Sequence, residues 1–241
     1  MSDGVVIIPT YNEFENIELI IRKVFSLPLS FHVLIVDDNS PDGTANVVRS
    51  LQGEYSGKLH LEVRQKKSGL GTAYVHGFKW SIAKQYDYIF EMDADFSHNP
   101  EDLVKLYEAC KNGKADVAIG SRYITGVNVV NWPLSRVLMS YFASVYVRII
   151  TGMEVRDATA GFMCYKRNVL EQIQLEKIKF IGYAFQIEMK YRAYVKKFEL
   201  IEVPIIFTDR TKGKSKMSNA IITEAVFGVI ALKISQLFNK L

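Results

Sequence analysis

Two aspartates one residue apart, Asp93 and Asp95, close the apolar run Tyr88-Ile89-Phe90-Glu91-Met92. In an extended backbone, residues i and i+2 point to the same side, so this spacing sets two carboxylates together at the mouth of a buried strand. There they repel each other and resist losing water unless a cation lies between them. Hard divalent cations take such oxygen ligands, and Mg²⁺ is commonly shared with substrate phosphates. The pair therefore points to a metal-diphosphate site, with a solvated turn as the other reading. Polar groups follow two other apolar runs in the same way: Pro9-Thr10-Tyr11-Asn12-Glu13 after residues 5–8, and Asp37-Asp38 after residues 31–36. Far along the chain, Arg210, Lys212, Lys214 and Lys216 place four cations in seven residues of a Gly- and Ser-containing segment. Such a loop is either a solvated surface feature or a clamp over a diphosphate, with Arg210 and Lys216 as point charges for developing negative charge.

The elements that would position these groups are legible from residue 5 to about 120. Apolar runs at 5–8, 31–36, 59–64, 88–92 and 115–120 read as strands, and the segments 16–25, 44–51, 71–84 and 100–112 as helices. Strand and helix alternate, which predicts an α/β fold with a mostly parallel sheet and helices on both faces. In open α/β sheets ligands bind outside the carboxyl ends of the strands, so the three polar groups should gather on one edge. Asp42 reads as a turn residue bonding nearby backbone, whereas Asp38 reads as a site residue. No G-x-G-x-x-G follows the first strand and there is no P-loop; Gly69-Leu70-Gly71 is only a fragment of the dinucleotide fingerprint. A nucleotide would have to be held by carboxylates, metal and basic side chains.

The second half is less regular. Residues 132–150 are largely apolar, with Arg136, Ser140, Ser144 and Arg148 forming a stripe of period four. This is either a core helix or a surface helix against a membrane or lipid. Residues 198–207 read as a last strand, where Pro204 implies an edge or bulge position. Residues 219–241 read as an amphipathic helix that packs on the domain, lies on a membrane surface or meets a partner helix. The domain reading is thus a catalytic domain over 1–218 and a C-terminal helix over 219–241.

Composition sets outer limits. The chain has 241 residues, 49% hydrophobic and 23% charged, which suits one large globular domain. A net charge of +4 gives no reason to expect a nucleic acid partner. The two cysteines, Cys110 and Cys164, are far apart and lack zinc-site spacing, which suggests a reducing compartment. The start of the chain shows no signal-peptide pattern, and no segment reaches about 20 uninterrupted apolar residues.

Together these segments resemble glycosyltransferase family 2, with the GT-A (Rossmann-like) fold. The residues that carry the resemblance are Pro9-Thr10-Tyr11-Asn12-Glu13, Asp37-Asp38-Asn39-Ser40-Pro41-Asp42-Gly43-Thr44, Gly69-Leu70-Gly71-Thr72-Ala73-Tyr74, Asp93-Ala94-Asp95-Phe96-Ser97-His98-Asn99-Pro100 and Gly120-Ser121-Arg122-Tyr123. Within the family, the second and third strings, with Asp209-Arg210 and Ser215-Lys216, are similar to the dolichol (polyprenol) phosphate mannose synthases. The resemblance implies inverting transfer of mannose from GDP-mannose to a polyprenyl phosphate, with Mg²⁺ or Mn²⁺ as cofactor. It implies that Pro9, Tyr11, Glu13, Val36 and Asp38 hold the base and ribose and that Ala94 offers backbone contacts to the nucleotide. Asp93 and Asp95 match the metal motif. Ser97 stands where the family often has Gln, and is the third metal-ligand candidate. Arg122, Arg210 and Lys216 match positions that contact phosphates of donor or acceptor. A phosphate acceptor needs no strong general base, consistent with a site where His76 and His98 are the only nearby histidines; His98 reads as structural or supporting. The lipid acceptor implies peripheral attachment at the cytoplasmic face of a membrane, through residues 132–150, the last helix or both; a small membrane protein docked on the last helix is a further partner reading. A UDP-sugar donor, or a non-catalytic nucleotide-sugar-binding subunit, are the alternatives.

Overall fold

The computed structural model of the chain describes residues 2–210 and 219–238. In chain order the strands are β1 (Gly4–Thr10), β2 (His32–Asp37), β3 (Leu59–Val63), β4 (Tyr88–Glu91), β5 (Val117–Ser121), β6 (Val129–Val130), β7 (Met163–Lys166), β8 (Leu200–Pro204) and β9 (Phe207–Thr208). The helices are α1 (Phe14–Phe25), α2 (Thr44–Leu51), α3 (Leu70–Ala83), α4 (Asp102–Lys111), α5 (Leu134–Thr151), α6 (Arg167–Gln172), α7 (Tyr183–Val195) and α8 (Asn219–Leu237). The main sheet runs β3-β2-β1-β4-β7-β5-β8. Every strand in it points the same way except β7, which is antiparallel to both β4 and β5. β6 and β9 pair in parallel as a separate ribbon.

Successive residues of a strand serve opposite faces, and here both faces are covered. Val5, Ile7, Leu34, Val36 and Ile89 pack with Tyr74 and Phe78 of α3 and Phe185 of α7. Val6, Ile8, Val33, Ile35 and Phe90 pack with Ile17, Ile20 and Val24 of α1 and Leu103 and Leu106 of α4. This explains why the strands are continuous apolar runs in the sequence rather than alternating ones.

Three elements differ from their expected bounds for identifiable reasons. α1 begins at Phe14, two residues early, because the Asp42 carboxylate accepts the Phe14 amide (3.1 Å) and the Glu13 carbonyl accepts those of Asn16 and Ile17. The last strand divides into β8 and β9 because Phe207 and Thr208 leave β5 to pair with β6; Pro204 does not break the ladder, since the Ile205 amide beyond it still donates to the Ser121 carbonyl (3.1 Å). The place of Pro204 on the outermost strand is the edge position its ring requires. The four-residue β7 carries no readable period, yet it fills the slot between β4 and β5 with Met163, Cys164 and Tyr165 fully buried.

α8 lies on α7 and α5, where it buries Val229 and Leu232. The Tyr146 hydroxyl of α5 donates to the Val226 carbonyl (2.9 Å). Both helices keep large apolar side chains in the open: Leu134, Phe142 and Ile149 on α5, and Phe227, Ile234 and Leu237 on α8. Among the described residues no helix is long and apolar enough to cross a membrane.

The start of α3 is pressed against the segment before α7. A Cβ on Gly71 would stand 2.7 Å from the Phe185 ring and 2.9 Å from the Phe180 carbonyl, a backbone atom with little freedom to retreat. We expect Gly71→Ala to cost about 1–3 kcal/mol in urea or thermal unfolding through overpacking. Gly53→Ala, whose Cβ would meet nothing within 4 Å, should stay within about 0.5 kcal/mol of wild type.

Candidate active site

The carboxyl ends of β1, β2 and β4 lie side by side: Thr10 pairs with Asp37, and the Met92 amide donates to the Ile7 carbonyl (3.1 Å). The three polar groups expected at one edge therefore meet. Each of their loops holds one non-glycine residue in left-handed backbone: Asn12 (φ 59°), Asn39 (φ 56°) and Phe96 (φ 61°). Asn tolerates that region, whereas for Phe it is a strained conformation that the surrounding loop must enforce.

Much of the Asp37–Thr44 string builds the scaffold. Asp37 accepts hydrogen bonds from the Thr10 hydroxyl (2.7 Å) and from the Ser40 amide (2.9 Å) and hydroxyl (2.6 Å). Asp42 accepts the Phe14 amide and the Thr44 amide (3.0 Å) and hydroxyl (2.6 Å). Burial alone would raise the Asp42 carboxyl, but these bonds hold it below the ordinary carboxylate range. Asp42 is thus the turn residue its position suggests. Asp38 points elsewhere and takes the Arg64 guanidinium at 2.5 Å; Arg64 also donates to the Thr72 hydroxyl of α3 (2.8 Å). Nearby, the Lys67 ammonium lies over the Tyr11 ring at 4.4 Å. Pro9 and Val36 are register partners on β1 and β2, behind this wall.

The two motif aspartates differ in surroundings. Asp95 is buried; its Oδ1 accepts the Ser97 amide (3.0 Å) and its Oδ2 pairs with Arg210 (3.0 Å). Asp93 is partly exposed in the cleft. Removal from water pushes its carboxyl up to about 7; Asp95 and Glu13 add to the rise and Arg210 opposes it. The charges of Asp95 and Glu13 thus both act on Asp93, and ionised Asp93 is undercompensated. Among the described residues no three His, Cys, Asp or Glu side chains converge to close a metal shell. A divalent cation fits Asp93 and Asp95 only if other ligands, such as phosphate oxygens and water, complete its coordination, as hard cations commonly allow. Ser97 is buried beside them, with its backbone amide committed to Asp95. Ala94, between the two aspartates, is also buried.

His98 is a supporting residue. Its ring stacks on Phe162 (4.8 Å) and meets Phe207 edge-on (5.4 Å), while Nδ1 accepts the Asp93 amide (3.3 Å). Burial pushes its pKa down to about 4, so the ring is neutral near pH 7. His76 faces Glu62 on α3's outer side (3.2 Å). At the end of β4, the buried Glu91 carboxylate accepts the Gln186 side-chain amide, and burial pushes Glu91 up to about 7.

A basic wall stands beside the aspartates. Arg122 donates through its backbone amide (2.9 Å), Nε (2.7 Å) and Nη2 (2.6 Å) to the carboxylate of Asp157, and through Nη2 to Thr159 (2.8 Å). Its guanidinium carbon lies 5.4 Å from the Trp132 ring, and that of Arg136 lies 4.0 Å from the same ring. Arg136 pairs with Asp209 (3.0 Å), next to the Arg210 that pairs with Asp95. Asp93, Asp95 and Arg210 are thus brought together, and Arg122 and Asp95 both act on the charge of His98; Lys216 lies outside the described residues. The residue pattern does not disclose Arg64, Trp132 or Asp157. The stripe beginning at Arg136 signals a helix and gives no hint of the ring it stacks on.

A mostly parallel sheet with one reversed strand, carrying an Asp-x-Asp pair on its carboxyl edge, is the architecture of the GT-A glycosyltransferases. The chain belongs to glycosyl transferase family 2, whose family profile matches residues 5–174. It is 46% identical over 224 residues to the polyprenol monophosphomannose synthase of Mycolicibacterium smegmatis, covering 93% of this chain and 84% of that protein. It is 43% identical over 223 residues to the undecaprenyl-phosphate mannosyltransferase of Micrococcus luteus, covering 92% and 90%. Among solved structures, the glucosyl-3-phosphoglycerate synthase of Mycobacterium tuberculosis, in complex with Mn²⁺, UDP and glucosyl-3-phosphoglycerate, superposes with a TM-score of 0.67 at 16% identity. It covers 97% of this chain and 79% of its own.

The crowding of carboxylates has a measurable cost. The Asp93 pKa is about 7 in the fold, against 3.8 for the ordinary carboxyl. The neutral form therefore contributes stability that is complete below 3.8 and is lost as pH rises through about 7. We expect Asp93→Asn, without added metal, to be more stable than wild type at pH 8 by on the order of 2 kcal/mol, with the gain fading as pH falls toward 4. Thermal melts across pH check this, and a gain independent of pH would contradict it.

Proposed function

We propose that the protein is an inverting mannosyltransferase that moves mannose from GDP-mannose to a polyprenyl phosphate, releasing GDP. The observation that carries this reading is the meeting of Asp93, Asp95 and Arg210 beside Arg122. It occurs in a family 2 chain whose 43–46% identical relatives are named for mannosyl transfer to polyprenyl phosphates. Those names support the reaction class; GDP-mannose as donor is the finer part of the proposal.

In this reaction the bond between the sugar's anomeric carbon and the diphosphate oxygen breaks. An acceptor phosphate oxygen bonds to that carbon from the opposite face. Positive charge grows on the sugar and negative charge on the departing diphosphate. Asp93 and Asp95, with Ser97 beside them, would hold a divalent cation, Mg²⁺ or Mn²⁺, which would supply positive charge for that leaving group. Arg210 is held at Asp95 where it adds to the same effect, and Lys216 is proposed to do likewise. Arg122 serves a phosphate of donor or acceptor. Pro9, Tyr11, Glu13, Val36 and Asp38 hold base and ribose, with Ala94 giving backbone contacts. A phosphate monoester has its second pKa near 6, so it is already a nucleophile at neutral pH and needs no strong general base. The neutral His98, engaged with the Asp93 amide, agrees with that economy.

The lipid acceptor calls for a bilayer nearby, and the apolar side chains that α5 and α8 leave exposed support peripheral attachment through residues 132–150 and 219–241. We place the enzyme at the cytoplasmic face of that membrane.

A donor screen tests the reading: GDP-mannose should support transfer to a polyprenyl phosphate, and UDP-glucose or a UDP-amino sugar should not. Turnover on a UDP-sugar alone would select the rival donor. Asp95→Ala should lower kcat by about 10²-fold or more, and full activity in that variant would sink the metal assignment. Flotation with protein-free anionic liposomes at low salt should carry the protein upward; if it stays at the bottom, a membrane protein partner takes the place of direct lipid contact.

A further inference from the structure

The acid that engages Arg122 is buried more deeply than the arginine itself. Asp157 is 0% exposed, whereas Arg122 retains 7%. The carboxylate takes the backbone amide, Nε and Nη2 of Arg122, so it fixes both the chain and the fork-shaped head. Thr159, two residues on, takes Nη2 as well. Asp157 is itself anchored: Glu202 on β8 accepts the Asp157 amide (2.9 Å) through one oxygen and the Arg156 amide (2.8 Å) through the other. Glu202 in turn is in register with Ile119 of β5. A continuous series of bonds thus runs from the sheet through Glu202 and Asp157 to the guanidinium. Around it stand Tyr123, Trp132 and Phe207, whose ring centres lie 5.3–5.6 Å from its central carbon.

Stability gives little reason for this arrangement. A buried ion pair is close to neutral against an apolar pair of similar volume, because desolvation offsets attraction. Pre-organisation gives a better one. An arginine with a freely moving side chain loses rotamer entropy when it grips an anion, and one already fixed by folding does not. The neighbouring Arg136 shows the contrast, since its partner Asp209 and its own head both keep substantial contact with solvent.

We propose that Asp157 is a positioning residue for the transfer reaction, fixing Arg122 as a rigid guanidinium for one phosphate group of the substrates. This rests on the reading of Arg122 as a phosphate contact. The phosphate belongs either to the polyprenyl phosphate or to the nucleotide donor, and the kinetic arms separate the two.

The test compares Asp157→Asn, Asp157→Glu and Thr159→Val with Arg122→Ala in the full chain, with thermal melts to confirm folding. Arg122→Ala identifies which substrate's KM depends on the guanidinium. Asp157→Asn should raise the KM of that same substrate by about tenfold and leave the other within about twofold. Asp157→Glu should recover part of the loss. Thr159→Val should move the same KM by about two- to fivefold, and it serves if Asp157→Asn does not fold. A folded Asp157→Asn enzyme with both KM values unchanged overturns the proposal. So does a loss that falls on both substrates equally and follows the melting temperature. If Arg122→Ala itself leaves both KM values unchanged, the reading of Arg122 fails and the positioning role fails with it.

Discussion

Asp93 and Asp95 are held together at the carboxyl edge of a parallel sheet, under the charge of Glu13, against their repulsion and against the loss of water. Parallel pairing of β1 with β4 imposes this: Ile7 is in register with Glu91, so the Asp93 and Asp95 that follow β4 run on beside the last residues of β1 and the loop after it. The consequences spread outward. The Asp93 carboxyl is driven up to about 7. The Tyr74 hydroxyl in the core beneath is pushed well above its usual range, first by burial and then by the charges of Asp93 and Glu91. Arg210 is drawn onto Asp95 from the far end of the chain. A site that stores unfavourable charge in this way is one that a cation and a diphosphate would relieve.

The surrounding polar groups divide into those that build and those that remain for chemistry. Asp37, Ser40, Asp42 and Thr44 satisfy one another and the first turn of α1, which makes a rigid floor from a string that looks reactive in the sequence. Asp38 is set apart by facing Arg64 instead of its own loop. On the other side, Asp157 and Glu202 hold Arg122 while Trp132 spaces it from Arg136. Lys190, fully buried, donates to the Ala160 carbonyl (2.6 Å) and is pulled down to about 8 by burial, with Glu91 and Asp157 opposing. It tethers α7 to the loop that carries Asp157.

Legibility in the sequence followed range. The elements up to β5 could be read because each is a local pattern: an apolar run, a turn cluster and a helical face within a few residues. β7 could not, since four residues carry no usable period and its place depends on finding two partners distant in sequence. Asp42 disclosed itself as a turn residue through its neighbours. Asp157 had no such sign, because an aspartate beside Ala158 and Thr159 reads as an ordinary loop until Arg122 arrives from 35 positions earlier.

The sequence by itself determined the α/β alternation, the family and the identity of the charged groups, because hydrophobic period and short motifs are properties of adjacent residues. Only the tertiary structure decided which charges meet. It set Arg210 on Asp95 across 115 positions and Asp157 under Arg122, and it kept His98 neutral against Phe162. The physical reason is that electrostatic energy depends on separation and on exclusion of water, and both are fixed only when distant segments share a buried volume.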